Sequence, residues 1–232
     1  REGSDLYFAR FDGRAVTTDD FVATMEDASG RDLGQFRRWY DQAGTPVLHV
    51  SDEFDAQKGI YTLHIEQTCP ATPGQPDKKP FHIPLRMGLL DASGDPVTLD
   101  ELDNTELVLE LTETRHSYRF KGLRERPVPS LLRDFSAPVK LDYAWSRDQL
   151  MFLMSHDPDG FNRWDAGQKL AIDVIQSLLD GNDTEVDERL ISAYRNLLAD
   201  TELDRAMVAR MLALPGTSYL VELIQDADVQ AI

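Results

Sequence analysis

Cysteine is nearly absent from this chain: Cys69 is the only one in 232 residues. No intrachain disulfide and no zinc site built from cysteine thiolates can therefore form, and the composition fits a reducing compartment, so a cytoplasmic location is expected. Long apolar runs are missing too. None approaches the roughly 18 residues of a membrane span, and the first residues lack the basic-then-apolar pattern of a secretory leader. Basic residues are scarce, with 24 Lys and Arg against 41 Asp and Glu and a formal net charge of −17. Such a chain repels a phosphate backbone unless basic groups gather in a stripe. The densest basic stretch, 115–126, is interrupted by Tyr118, Phe120, Gly122 and Glu125 and reads as a solvated strand and turn. Nucleic-acid binding is not expected.

The motifs of common catalytic sites are also missing. A zincin needs two histidines one helical turn apart, so that both imidazoles face one ion, with a glutamate beside the first as general base. His49, His64, His82, His116 and His156 are isolated, and His64-Ile65-Glu66-Gln67-Thr68 has no second histidine. No Gly-x-Ser-x-Gly elbow is present, and Ser130 lies in a strand-like run. Cys69 has no neighbouring base and reads as an inert loop thiol. The glycines form no phosphate loop, and Asp157-Pro158-Asp159-Gly160 reads as a turn that starts a helix rather than a calcium loop. No catalytic, cofactor-binding or metal-ligating residue is expected in this chain.

What is present is a globular balance of 41% hydrophobic and 28% charged residues, arranged in three zones of different period. Between Asp12 and Gly44 the pattern predicts two short helices. Thr17 or Thr18 caps the first, which stops at Gly30. Asp32 caps the second, whose Leu33, Phe36, Trp39, Tyr40 and Ala43 form a stripe too large for a two-helix piece to bury alone. From Val47 to Tyr143 the period is two. Tyr61, Leu63 and Ile65 alternate with polar residues, as do Leu107, Leu109 and Leu111, and about seven short strands separated by turn signals predict an antiparallel immunoglobulin-like sandwich. Pro84 favours an edge strand or a bulge. From Ser146 onward amphipathic helices predict a stacked-helix, superhelical array. Leu150, Met154, Trp164, Leu170, Val174, Leu190, Leu197, Leu198, Met207, Met211 and Leu214 lie on its apolar faces, and a loop spans Asp180–Asp183. This last zone carries 16 acidic and 7 basic residues, a net of −9, read mainly as a solvated exterior. The start at Arg1 and the break at Ile232 suggest a piece of something longer.

Whole phrases add to this reading. Residues 21–46 (FVATMEDASGRDLGQFRRWYDQAGTP), 80–90 (PFHIPLRMGLL, beginning at Pro80) and 126–165 (RPVPSLLRDFSAPVKLDYAWSRDQLMFLMSHDPDGFNRWD) resemble the bacterial aminopeptidase N branch of the gluzincin (M1) zinc aminopeptidases. With their spacing, these phrases cover the chain to about Leu179. The resemblance implies a zinc-dependent parent that removes N-terminal amino acids from peptides. It also implies that this chain is an internal, non-catalytic portion: residues 1–45 would be the closing helices of the catalytic domain, 46–145 the β-sandwich, and 146–232 the start of the helical domain that covers the active site. The zinc ligands and general base of the family would precede the segment where this chain begins. Zinc would belong to the parent and not to this chain, whose partners would be the rest of the same polypeptide and the parent's peptide substrates. Thr24-Met25-Glu26-Asp27 resembles the family's amine-binding Gly-x-Met-Glu-Asn segment, yet it sits inside a capped helical pattern with Met25 on the buried face, and the helical reading is the one retained. The alternative is a stand-alone binding module, which would require the Trp39–Tyr40 stripe and the last helices to be covered within this chain.

Overall fold

The structure, a computed structural model, describes residues 1–100, 102–182, 185–199, 201 and 203–223. Two helices open the chain. α1 (Glu2–Phe11) has no side-chain cap and no buried residue, which is why no pattern announced it. It is held by α2 (Thr18–Ser29), on which Tyr7 meets Phe21 with ring centroids 5.3 Å apart. Thr17 and Asp20 form a reciprocal capping box at the start of α2, and Gly30 ends it in the left-handed conformation, φ 66°.

The second expected helix is much shorter than its apolar stripe suggested. Asp32 does not cap it: its carboxylate accepts from the Gly34 amide two residues on, at 2.7 Å, a local turn that competes with helix formation. Residues 34–37 are turns, and only Arg38–Asp41 (α3) is helical. The stripe nevertheless finds cover. Trp39 packs on Phe81 with centroids 4.7 Å apart and donates its indole N–H to the His82 carbonyl at 2.9 Å, while Tyr40 stays half exposed.

Seven strands follow: β1 (Val47–Asp55), β2 (Ile60–Thr68), β3 (Ile83–Leu90), β4 (Glu106–Leu111), β5 (Arg115–Lys121), β6 (Val128–Leu131) and β7 (Lys140–Asp142). They form two sheets, ordered β5-β2-β1-β7 and β4-β3-β6. Every pairing is antiparallel except β1 with β7, which is parallel. β7 follows β6 across from the other sheet and arrives running the same way as β1, with Lys140 N donating to Pro46 O at 2.9 Å. The inner faces supply the core, in which Leu48, Tyr61, Leu63, Ile83, Leu85, Met87 and Leu111 are fully buried. Pro84 does not mark an edge strand, because β3 is the central strand of its sheet. β6 pairs only with Met87–Leu90, however, so at Pro84 only β4 lies alongside, and the missing N–H breaks no ladder on the β6 side.

Gln67 joins the two sheets at one end. Its side-chain amide donates to Phe81 O (3.0 Å) and Glu113 O (2.9 Å), and its oxygen accepts from Phe81 N (2.7 Å). One buried side chain thereby satisfies backbone groups of the segment entering β3 and of the β4–β5 turn.

The strand pattern ends at Trp145. Ser146 and Gln149 cap α4 (Arg147–His156) reciprocally, and Asp159 caps α5 (Gly160–Leu179). α6 (Glu188–Ala199), α7 (Arg205–Met211, capped by Asp204) and α8 (Thr217–Leu223) continue the series. α4 packs on α5 and α6, and α5 on α7, the alternation of two stacked layers. Their core joins Leu150, Leu153, Met154, Leu170, Val174, Leu190, Leu197 and Met211 with Leu90 of β3. Leu198 and Leu214, expected on the apolar faces, are 60% and 61% exposed: Leu198 falls outside the buried stripe of α6, and Leu214 lies beyond the end of α7. Residues 180–182 form the expected turn, whereas Asp183 and the end of the helical zone, 224–232, lie outside the described residues. Among the described residues no helix is long and apolar enough to cross a membrane.

Replacing Gln67 with Leu keeps its volume but strands buried backbone groups of residues 81 and 113. It should lower stability by about 2–4 kcal/mol, read as a fall in the urea midpoint. Cys69→Ala, at a half-buried loop thiol, should cost less than about 1 kcal/mol.

Candidate functional site

The sheet register brings together side chains that are isolated in the sequence. On the outer face of the four-stranded sheet, Arg115, Glu66, His49 and Asp142 stand in one row across β5, β2, β1 and β7. His49 Nδ1 lies 2.8 Å from Asp142 Oδ2 and Nε2 lies 3.1 Å from Thr68 Oγ1, and Arg115 donates to Glu66 at 2.9 Å. In the next row His64 Nδ1 is 2.8 Å from Ser117 Oγ, with Glu53 3.6 Å from Nε2. A shallow groove of about 390 Å³ runs between these rows. It is open to solvent, and both ring nitrogens of each histidine are already engaged.

The other candidates are tied up in structure. His116 Nε2 accepts from the amides of Thr112 and Glu113, His82 stands 3.7 Å from Glu110, and His156 packs under Phe152 and against Gly94. Among the described residues, no three His, Cys, Asp or Glu side chains come together to hold a metal ion. The described residues therefore offer no ligand set that fits zinc. Thr24–Asp27 lies within α2. The Thr24 hydroxyl donates to Asp20 O, Glu26 accepts from Leu33 N and Arg37, and Asp27 pairs with Arg10. None of the three is presented to a ligand.

The most unusual chemistry lies where the sandwich meets α4 and α5. Arg133, 3% exposed, opens a single 3-10 turn (Arg133–Phe135) after β6. Its Nε donates to Ser130 Oγ at 2.7 Å, one terminal nitrogen lies 3.4 Å from Glu106, and the other lies 3.7 Å from the buried Asp157 at the end of α4. Asn162, in the first turn of α5, donates to Ser130 Oγ (2.9 Å) and Leu131 O (3.0 Å). The Ser130 hydroxyl oxygen thus accepts from both Arg133 and Asn162, using its two acceptor positions.

The guanidinium lies over Gly88 of β3, and a Cβ there would collide with it. Leu132, Asp134 and Phe135 hold φ of 60°, 54° and 47°, a region costing on the order of 1–3 kcal/mol per non-glycine residue unless the surroundings enforce it. Here they do. Asp134 N donates to Asp159 at 3.0 Å, and the Phe135 and Phe161 rings lie 5.4 Å apart. Burial raises the Asp157 carboxyl above its ordinary value, against the lowering effects of Ser130, the Asp159 amide and Arg133. Sequence reasoning missed this cluster because its members come from five separate elements. The one available signal was Gly88 inside an apolar strand, which marks a close approach.

Two family models match in tandem, a "Domain of unknown function (DUF3458) Ig-like fold" over residues 44–144 and a "Domain of unknown function (DUF3458_C) ARM repeats" over 147–232. Over its whole length the chain is 42% identical to aminopeptidase N of Escherichia coli and 43% identical to that of Caulobacter vibrioides. This chain is an aminopeptidase N homologue. It spans 27% and 26% of the length of those two relatives. A crystal structure of Legionella pneumophila aminopeptidase A in complex with aspartic acid superposes on 99% of the chain, and on 25% of its own, with a TM-score of 0.85 and 32% identity. In this aminopeptidase N homologue the two family models meet at 144–147, next to the buried Arg133 cluster.

Asp157 has a raised pKa in the folded chain. Its titration therefore contributes stability that is complete below its ordinary 3.8 and is lost as pH rises through the folded value. Asp157→Asn removes that titration. Wild type should gain stability relative to the variant as the pH falls from 7 toward about 4, measured by urea unfolding at both ends. A pH-independent difference would contradict a raised pKa.

Proposed function

We propose that this chain is the non-catalytic portion of a zinc-dependent aminopeptidase that removes N-terminal amino acids from peptides. In this reading residues 1–45 close the catalytic domain, 46–145 form a sandwich that spaces it from the helical domain, and 146–232 begin that helical domain, which covers the active site. The observation that carries the reading is similarity to aminopeptidase N along the entire chain, from a sequence covering about a quarter of that protein. The site geometry supports it: the buried cluster ties the sandwich to α4 and α5 through Arg133, Ser130 and Asn162, and it lies out of solvent.

The alternative, a stand-alone binding module, needs its apolar faces covered from within. Trp39 meets that condition. Phe8 and Tyr40, 64% and 49% exposed, do not, and neither do Leu214 and Tyr219 at the far end. Exposed aromatics at both ends favour a piece with neighbours on either side, namely the catalytic domain and the remainder of the helical domain of the same polypeptide.

The acidic helical zone is less open to ligands than its net charge suggests. Asp173 and Asp187 pair with Arg147, Asp148 and Asp187 with Arg189, and Asp165 with Lys169.

The chain by itself should bind no stoichiometric zinc and should release no product from an aminoacyl anilide. Metal analysis and a chromogenic assay test both points. One tightly held zinc per chain, with turnover lost on chelation, would overturn the proposal.

A further inference from the structure

We infer that α4 and α5 move as part of the sandwich, and that the chain loses rigidity between α5 and α6 rather than where strands give way to helices at Trp145–Ser146. The contrast lies in what holds each boundary. Between the sandwich and α4–α5 the contacts are buried and directional. Arg133 faces Asp157, Asn162 donates to Ser130 and Leu131, and Asp134 N donates to Asp159. The Trp145 indole donates to Pro129 O at 3.4 Å while Lys169 of α5 sits 4.4 Å over its ring. The hydrogen bonds among these fix an angle as well as a distance, while the Arg133–Asp157 pair, 3.7 Å apart, is too long for one and acts through charge, so that removing either partner leaves the other uncompensated.

Between α4–α5 and α6 the polar contacts are ion pairs. Arg189 reaches back from α6 to Asp148 at 2.7 Å, and both face solvent. Arg147 of α4 reaches Asp187 just before α6 at 3.3 Å, and Arg189 holds the same Asp187 at 2.7 Å; Arg147 and Asp187 are mostly covered. The exposed Arg189–Asp148 pair is weak and screened by salt, the covered Arg147–Asp187 pair less so. Leu190, Ala193 and Leu197 of α6 also rest in the shared helical core. That contact is side-chain packing, which favours a crossing angle with wide scatter and, among the described residues, is not reinforced by buried hydrogen bonds like those of Asn162. The rigid unit therefore ends at α5, and on the functional reading above the movable part of the cover begins with α6. Only this last consequence rests on that reading, since the rigidity is a property of the chain and is measured without any activity.

The test is distance measurement by double electron–electron resonance in the whole chain, on a Cys69→Ala background. One pair of nitroxides joins Lys121→Cys on β5 to Ser177→Cys on α5, and the other joins Lys121→Cys to Asn196→Cys on α6. Raising salt from about 0.05 M to about 1 M, where the screening length falls to about 3 Å, should leave the first distribution narrow and broaden the second. Equal broadening of both, or no change in either, would overturn the inference. Asp157→Asn should broaden the first distribution at low salt. Gly88→Ala should do the same, since it pushes the guanidinium from its bed without removing a charge, and it serves if the first variant does not fold. Narrow distributions in a folded variant would overturn the assignment of the lock to the buried pair.

Discussion

The guanidinium of Arg133 carries its charge almost wholly out of contact with solvent, 3% exposed, and much of the molecule is arranged around that requirement. A charge that deep is tolerable only when counter-charges and hydrogen-bond acceptors surround it. Those partners come from β4, β6 and the end of α4, so the charge can be buried only after sandwich and helices have met in one orientation. Gly88 supplies the space, and the left-handed Leu132, Asp134 and Phe135 flank the residue. An apolar substitute of equal volume could hold the domains together as strongly, but it would accept many angles. The net energy of a buried ion pair is small or unfavourable against such a substitute, so what the cluster contributes is orientation.

The same division between attachment and orientation recurs at the other end of the sandwich. Trp39 and Phe81 supply apolar contact between α3 and the segment entering β3, while the indole N–H and Gln67 fix position through backbone carbonyls. α1 has only the first kind of contact. Its aromatic cluster with Phe21 lies partly in solvent, and one ion pair from Arg10 to Asp27 ties it to α2. Its placement depends on its neighbours far more than that of the strands does.

Local physics made some of this legible in the sequence. The cap at Thr17 and the helix start after the Asp157–Gly160 turn are read within four residues, and the alternation Tyr61-Leu63-Ile65 is the direct image of one buried face. The failures have a common cause. The Asp32–Gly34 turn outcompeted a helix that the apolar stripe favoured, β7 took a parallel place set by a crossing connection, and Pro84 was accommodated by the short reach of β6. Each was decided by a partner distant in sequence or by geometry with no periodic trace. The Arg133 cluster is the extreme case, since Glu106, Ser130, Asp157 and Asn162 share no spacing rule, and a search for catalytic motifs passes over the joint they build. The family phrases, by contrast, were legible because long gap-free similarity requires no knowledge of which contact each residue makes.

Trp145 carries a further consequence. Its ring face lies under the Lys169 ammonium of α5, its edge meets Tyr143 with centroids 4.7 Å apart, and its N–H points at β6. The field at this indole is thus set by the relative position of a sandwich residue and a helical one. The other two tryptophans, Trp39 and Trp164, lie in α3 and α5. The emission colour of Trp145 is therefore an optical gauge of the joint, built from the protein's own residues and readable without attaching any dye.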